Sequence, residues 1–139
     1  MQLNAEQIIE LMRRAFPDAY SAGFRIDALS EESITVVWEG AASETRPGGT
    51  ISGPAMMTLV DTAAYFLVLA HIGPETLAVT TNLNINFLRK PTPSAMTAKA
   101  RMLKLGKRLI VTDVELFVEA ETKPVAHATV TYSVPPRRD

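Results

Sequence analysis

Between Arg46 and Glu75 the chain carries one formally charged side chain, Asp61, set among Leu59, Val60, Ala63, Ala64 and Phe66. A carboxylate is costly to bury without partners. Asp61 therefore reads either as a reacting group or as a structural carboxylate bonded to a nearby loop backbone. The same apolar stretch opens with Gly49-Thr50-Ile51-Ser52-Gly53-Pro54. At a helix start, unpaired N–H groups and the positive dipole end can bind a developing oxyanion, and glycine at 53 lets a carbonyl come close to the backbone. The plainer alternative is an ordinary capped helix start. Ser52 does not make a serine nucleophile, because the elbow of that chemistry needs Gly-x-Ser-x-Gly and the chain has Gly49-Thr50-Ile51-Ser52-Gly53. There is no cysteine, which removes thiolate chemistry and cysteine-based metal sites. His71 and His127 are too far apart for a His-x-x-x-His metal pair, and both read as surface or edge residues. No phosphate loop, dinucleotide fingerprint or calcium loop is present, so neither a metal nor a cofactor is implied.

The elements that must hold these residues follow from periodicity. Asn4 and Gln7 form a capping-box pattern, and Ile8, Ile9, Met12, Ala15 and Phe16 make a stripe over Ala5–Phe16. Pro17 is expected to stop this N-terminal helix, which occupies residues 1–17. Strands are expected over Phe24–Leu29 and Ser33–Glu39, and a loop over 40–50. The central helix is expected over 52–72, with Pro54 tolerated in its first turn and Gly73-Pro74 closing it. Four further strand-like runs cover Leu77–Arg89, Met96–Leu105, Arg108–Glu119 and Val125–Val134. Their short separators predict hairpins and hence a meander, with a frayed tail over 135–139. A helix apolar nearly all round must be covered on most sides, so the sheet has to curl about it. Alternation of Ala98, Ala100 and Met102 with Thr97, Lys99 and Arg101 gives one covered and one wetter face.

The whole chain, 1–139, reads as one domain. Its formal net charge is −1, which argues against a nucleic-acid partner. Ile51–Ile72 is long enough to raise the question of a membrane, but Asp61 at its centre would cost about 2.5–3.5 kcal/mol in lipid. A helix inside a soluble protein is the better reading. The first residues lack the basic and apolar regions of a signal peptide, which with the absence of cysteine favours the cytoplasm.

Gly53 and Asp61 are eight residues apart, roughly 12 Å along a straight helix. They cannot serve one carbonyl from a single chain. Two copies packing these helices antiparallel would bring Gly53 of one to Asp61 of the other, making a composite site across a homodimer.

A glycine-opened apolar helix with a carboxylate in its third turn, followed by the strand Thr80-Thr81-Asn82-Leu83-Asn84-Ile85-Asn86-Phe87-Leu88-Arg89-Lys90-Pro91, resembles the hotdog-fold acyl-CoA thioesterases of the phenylacetate-degradation type. The resemblance spans about residues 20–134. It implies an α+β fold in which a curved antiparallel sheet wraps a long central helix, and assembly as a homodimer or homotetramer. It implies Asp61 as the catalytic carboxylate, Gly53 as the N–H that polarises the thioester carbonyl from the opposite subunit, and Thr80 as a hydroxyl that orients water. Arg89, Lys90, Lys107 and Arg108 would hold coenzyme A phosphates, with a solvated basic face as the alternative. The chain has Ser52-Gly53-Pro54 where the family usually has His-Gly-Gly, and Arg46 where many relatives hold Asn or Gln. Arg46 would either polarise the carbonyl or pair with Asp61. Met57 and Tyr65, together with Ser52, are further candidates for substrate contact, core packing being the alternative for the first two. Two functions follow: hydrolysis of a small or medium acyl-CoA, or the role of a non-catalytic acyl-CoA-binding or regulatory module. A tight Arg46–Asp61 pair would favour the second.

Overall fold

The computed structural model describes residues 1–119 and 121–136. Helix α1 spans Ala5–Ala15 and opens on the expected capping box. The Gln7 N–H donates to Asn4 Oδ1 at 2.9 Å, and the Asn4 N–H donates to Gln7 Oε1 at 2.8 Å. It buries Ile8, Leu11 and Met12 rather than the full expected stripe, and Ala15 and Phe16 stay exposed. Pro17 ends α1 and also begins a short helix α2, Pro17–Ser21, because a residue without an N–H suits a first helical turn.

Strands β1 (Phe24–Leu29) and β2 (Ser33–Trp38) follow. The expected loop over 40–50 contains a 3₁₀ turn, Glu39–Ser43, and an isolated bridge between Thr45 and Ile51. Helix α3 runs Gly53–Ile72 and ends at Gly73, whose φ of 88° suits a residue without Cβ. Strands β3 (Val79–Phe87), β4 (Met96–Leu105), β5 (Leu109–Val118) and β6 (Ala126–Ser133) complete the chain. Of the expected tail, residues 137–139 lie outside the described residues.

The six strands form one antiparallel sheet in the order β1-β2-β4-β5-β6-β3. The expected four-strand meander is therefore corrected: β4, β5 and β6 are hairpin neighbours, but β3 pairs with β6 at the far edge. The segment after β3 is a crossover, carrying Pro91 past the start of α3, where its carbonyl accepts the Ile51 N–H at 3.2 Å. A turn rich in prolines suits such a span better than a tight hairpin.

Helix α3 packs against β2, β3, β4, β5 and β6. Five adjacent strands laid flat would be about 19 Å across, and a helix is only about 10–12 Å thick. The sheet can touch the helix with all five only by curling around it. Ala98 and Ala100 on β4, and Ala126 and Ala128 on β6, are fully or almost fully buried beneath it. This is the α+β hotdog arrangement. Although α3 is apolar enough to cross a membrane by composition, the sheet and α1 cover most of it. Coverage is incomplete in one respect: Pro54, Met57 and Thr58 are exposed, and Asp61, Thr62 and Tyr65 are half-buried. At spacings of three and four these six line a single open face.

Candidate active site

The start of α3 is fixed from two sides. Arg46-Pro47-Gly48-Gly49 forms a turn with the Gly49 N–H donating to Arg46 O at 3.0 Å and Gly48 at φ 104°, the arrangement of a type II turn with proline and glycine at its centre. The Arg46 N–H in turn donates to Thr50 O at 2.9 Å, and the Ser52 N–H to Glu44 O at 2.8 Å. Ser52 is the N-cap, and its Oγ accepts the Ala55 N–H at 3.2 Å. Pro54 has no N–H. Of the three backbone donors that this helix start leaves over, the Gly53 N–H has no partner among the described residues. A Cβ on Gly53 would meet Phe87 Cζ at 3.5 Å, an ordinary contact. The chain's own packing does not require glycine there.

Two turns along, Asp61 is half-buried rather than sealed in the core, contrary to the burial expected of it. The curled sheet covers the other faces of the helix and leaves this one. Its Oδ1 accepts two hydroxyl hydrogen bonds, from Thr80 Oγ1 at 2.6 Å and from Tyr132 Oη at 2.9 Å. Its Oδ2 accepts none from the described residues, and among them no unpartnered side-chain oxygen is sealed from solvent. The carboxylate thus has one oxygen held and one oxygen open. Tyr132 stacks on Tyr65, with ring centroids 5.6 Å apart, and the Tyr65 hydroxyl donates to Thr76 O at 3.2 Å. Burial, with the Asp61 charge beside it, pushes the Tyr132 hydroxyl far above its ordinary range, so it remains a donor. Burial, and then Glu75, raise that of Tyr65 to about 12.

Met57, Asp61 and Tyr65 share the open face of α3. Arg46 is exposed at its turn, and no ion pair joins it to Asp61 among the described residues. The four basic residues are not one cluster within the protomer. Arg89 follows β3, where its N–H donates to Val125 O at 3.2 Å and its Nη1 to Pro124 O at 2.6 Å. Arg108 sits at the β4–β5 turn, where its carbonyl accepts the Val134 N–H at 2.8 Å. Val125 and Val134 bracket β6, nine steps of strand or roughly 30 Å apart. His71 is tied to Glu31 O at 2.7 Å, and His127 faces Asp113 on the sheet surface away from α3.

Sequence reasoning missed Tyr132 and Phe87. A usable signal for Tyr132 was its place in the inward row Ala126, Ala128, Val130, Tyr132, where a buried phenol needs a polar partner. Which partner it takes, 71 residues away, depends on the fold. Phe87 is half-exposed and its ring lies beside Gly53.

The sequence model of the thioesterase superfamily matches residues 48–132. Among solved structures, a candidate thioesterase from Silicibacter sp. TM1040 is 44% identical, covers 96% of this chain and 93% of its own, and superposes with a TM-score of 0.88. A variant of a thioesterase from Pseudomonas aeruginosa is 25% identical over 99% of this chain and 97% of its own, with a TM-score of 0.82. A variant of the phenylacetic acid degradation protein PaaI from Thermus thermophilus shares the fold at 22% identity, covering 86% of this chain and 99% of its own with a TM-score of 0.72. No curated protein matches the sequence significantly.

Proposed function

Since this chain belongs to the thioesterase superfamily, we propose that it hydrolyses the thioester bond of a small or medium acyl-CoA at a site shared between two protomers. Family membership supports thioester hydrolysis in general; the acyl-CoA substrate and the residue roles are our reading. One observation carries it: a single helix presents, two turns apart, an unpartnered N–H at Gly53 and a carboxylate with one open oxygen at Asp61. With two such helices antiparallel across a two-fold axis, the Gly53 N–H polarises the thioester carbonyl while the partner subunit's Asp61 takes a proton from water. Water oxygen bonds to the carbonyl carbon, and the negative charge gathers on the carbonyl oxygen at Gly53. Collapse of this intermediate breaks the C–S bond, and the proton held by the carboxylate passes to the leaving sulfur. Thr80, bonded to the same carboxylate, orients the water.

The same antiparallel arrangement supports phosphate binding. Arg89 and Lys90 lie beyond Phe87 at the Gly53 end, whereas Lys107 and Arg108 lie beyond Tyr132 at the Asp61 end. Bringing Gly53 toward the partner subunit's Asp61 therefore brings the two basic pairs toward one another. With no ion pair between Arg46 and Asp61 among the described residues, the silenced carboxylate that would favour a purely binding role lacks support.

Free-thiol release from a panel of acyl-CoAs tests the activity, and subunit mixing tests the shared site. Gly53→Ala and Asp61→Asn should each abolish most turnover, Asp61→Asn by about 10²–10⁴-fold in kcat. Mixed after dissociation, the two inactive proteins should recover about a quarter of wild-type activity, because half the dimers then hold one intact site. No thiol release from any acyl-CoA, or no recovery on mixing, would count against it.

A further inference from the structure

We propose that Tyr132 is the positioning residue of the site, the group that decides which oxygen of Asp61 faces the reaction. This inference rests on Asp61 as the reacting carboxylate.

Asp61 Oδ1 has two donors, and they are not equivalent. Thr80 is exposed, and it sits on the edge strand β3 beside an irregularity in register between Thr80 and Asn82. Its hydroxyl can turn away from Asp61 toward water or substrate without disturbing the core. Tyr132 is buried on β6 between β3 and β5, opposite Thr80 on one side and Ile110 on the other. Its ring is stacked on Tyr65, which is itself anchored through its hydroxyl to the Thr76 carbonyl. From this fixed place the phenol oxygen lies 2.9 Å from Asp61 Oδ1 and 3.3 Å from the Asp61 carbonyl oxygen. One rigid donor thus spans the side chain and the backbone of the same residue, which restricts rotation of the carboxylate. With Oδ1 occupied by the phenol, Oδ2 remains the open oxygen whether or not Thr80 has turned away. The two hydroxyls divide the work: Tyr132 holds the carboxylate, and Thr80 is free to exchange its bond during turnover.

Tyr132→Phe keeps the ring and its stacking and removes only the donor. It is measured in the wild-type and Asp61→Asn backgrounds, with kcat, KM and thermal midpoint from each. Loss of alignment should lower kcat about 10–100-fold in the wild-type background and leave KM within about twofold. In the Asp61→Asn background the same change should alter the residual rate by less than about twofold, since the group it positions is already gone. Independently of activity, the carboxyl carbon resonance of Asp61, assigned by its disappearance in Asp61→Asn, should move in Tyr132→Phe. An unchanged kcat, an unchanged resonance, or an equal loss in both backgrounds would overturn the positioning role and leave the proposed function standing. Full activity of Asp61→Asn alone would overturn both.

Discussion

The two edges of the sheet are built on opposite plans. At the β1 edge, Arg25 bonds Asp27 at 2.8 Å and Glu39 at 2.7 Å, the pairing with β2 is interrupted between Ile26 and Ala28, and α1 packs against the strand. Charges, a bulge and a covering helix are the devices by which proteins blunt an exposed strand. At the β3 edge no charged residue occurs from Leu77 to Leu88. Leu77, Val79, Phe87 and Leu88 are between 50% and 64% exposed there. One edge is protected against pairing and the other is left fit for it. The unprotected edge is also the one that carries Thr80 and places Phe87 beside Gly53. The edge that lacks protection is thus the one that carries residues of the proposed site, which agrees with a site shared between two copies.

The largest expected effect comes from giving β3 the protection that β1 has. Val79→Lys with Asn84→Lys puts like charges on both halves of the edge. The protein should become monomeric on sedimentation and lose about as much kcat as Asp61→Asn, about 10²–10⁴-fold. Ala28→Lys, the same charge on β1, should leave mass and activity unchanged. A fully active monomer would break the link between the open edge and the site.

A smaller effect sharpens which ends of the strands meet. Removing Arg89 and Lys90, or Lys107 and Arg108, should raise KM for an acyl-CoA several-fold with kcat nearly constant, because phosphate contacts hold ground and transition states alike. Pantetheine thioesters, which lack the nucleotide, should respond little. If only one pair matters, the antiparallel register that brings the two pairs together is wrong.

The smallest effect concerns stability at alkaline pH. The hydroxyls of Tyr65 and Tyr132 are both raised by burial, Tyr65 from 10.0 to about 12. Their folded proton affinity exceeds the unfolded one, so the stability both supply is complete below pH 10; the share from Tyr65 is lost as pH rises through 12, and that from Tyr132 is still falling there. Melting curves from pH 9 to 12 should fall over that window, and Tyr65→Phe should flatten part of the fall. The exposed ion pairs on β1 should contribute little, so salt should hardly move the midpoint at neutral pH.

Much of this was legible in the chain before folding was considered. Sequence patterns alone marked the capping box at Asn4, the strand Met96–Leu105 with its inward alanines, the central helix and the isolated charge of Asp61. All of these are local: side-chain period, capping chemistry and turn residues act within a few positions, so a linear reading reaches them. The place of β3, the open face of α3 and the pairing of Tyr132 with Asp61 were not legible in that way. Short separators suggested a meander, yet the chain after Phe87 crosses the start of α3, because curling five strands about one helix leaves β3 its place beside β6. Tyr132 meets Asp61 only because β6 lies under the third turn of that helix, and the two oxygens of Asp61 become different only once that contact is made. The sequence by itself determined the main helices and strands and the candidate reacting groups they carry. The tertiary structure alone decided which oxygen is held, which edge stays open and how far apart the two basic pairs stand, because those depend on packing between segments that share no local signal.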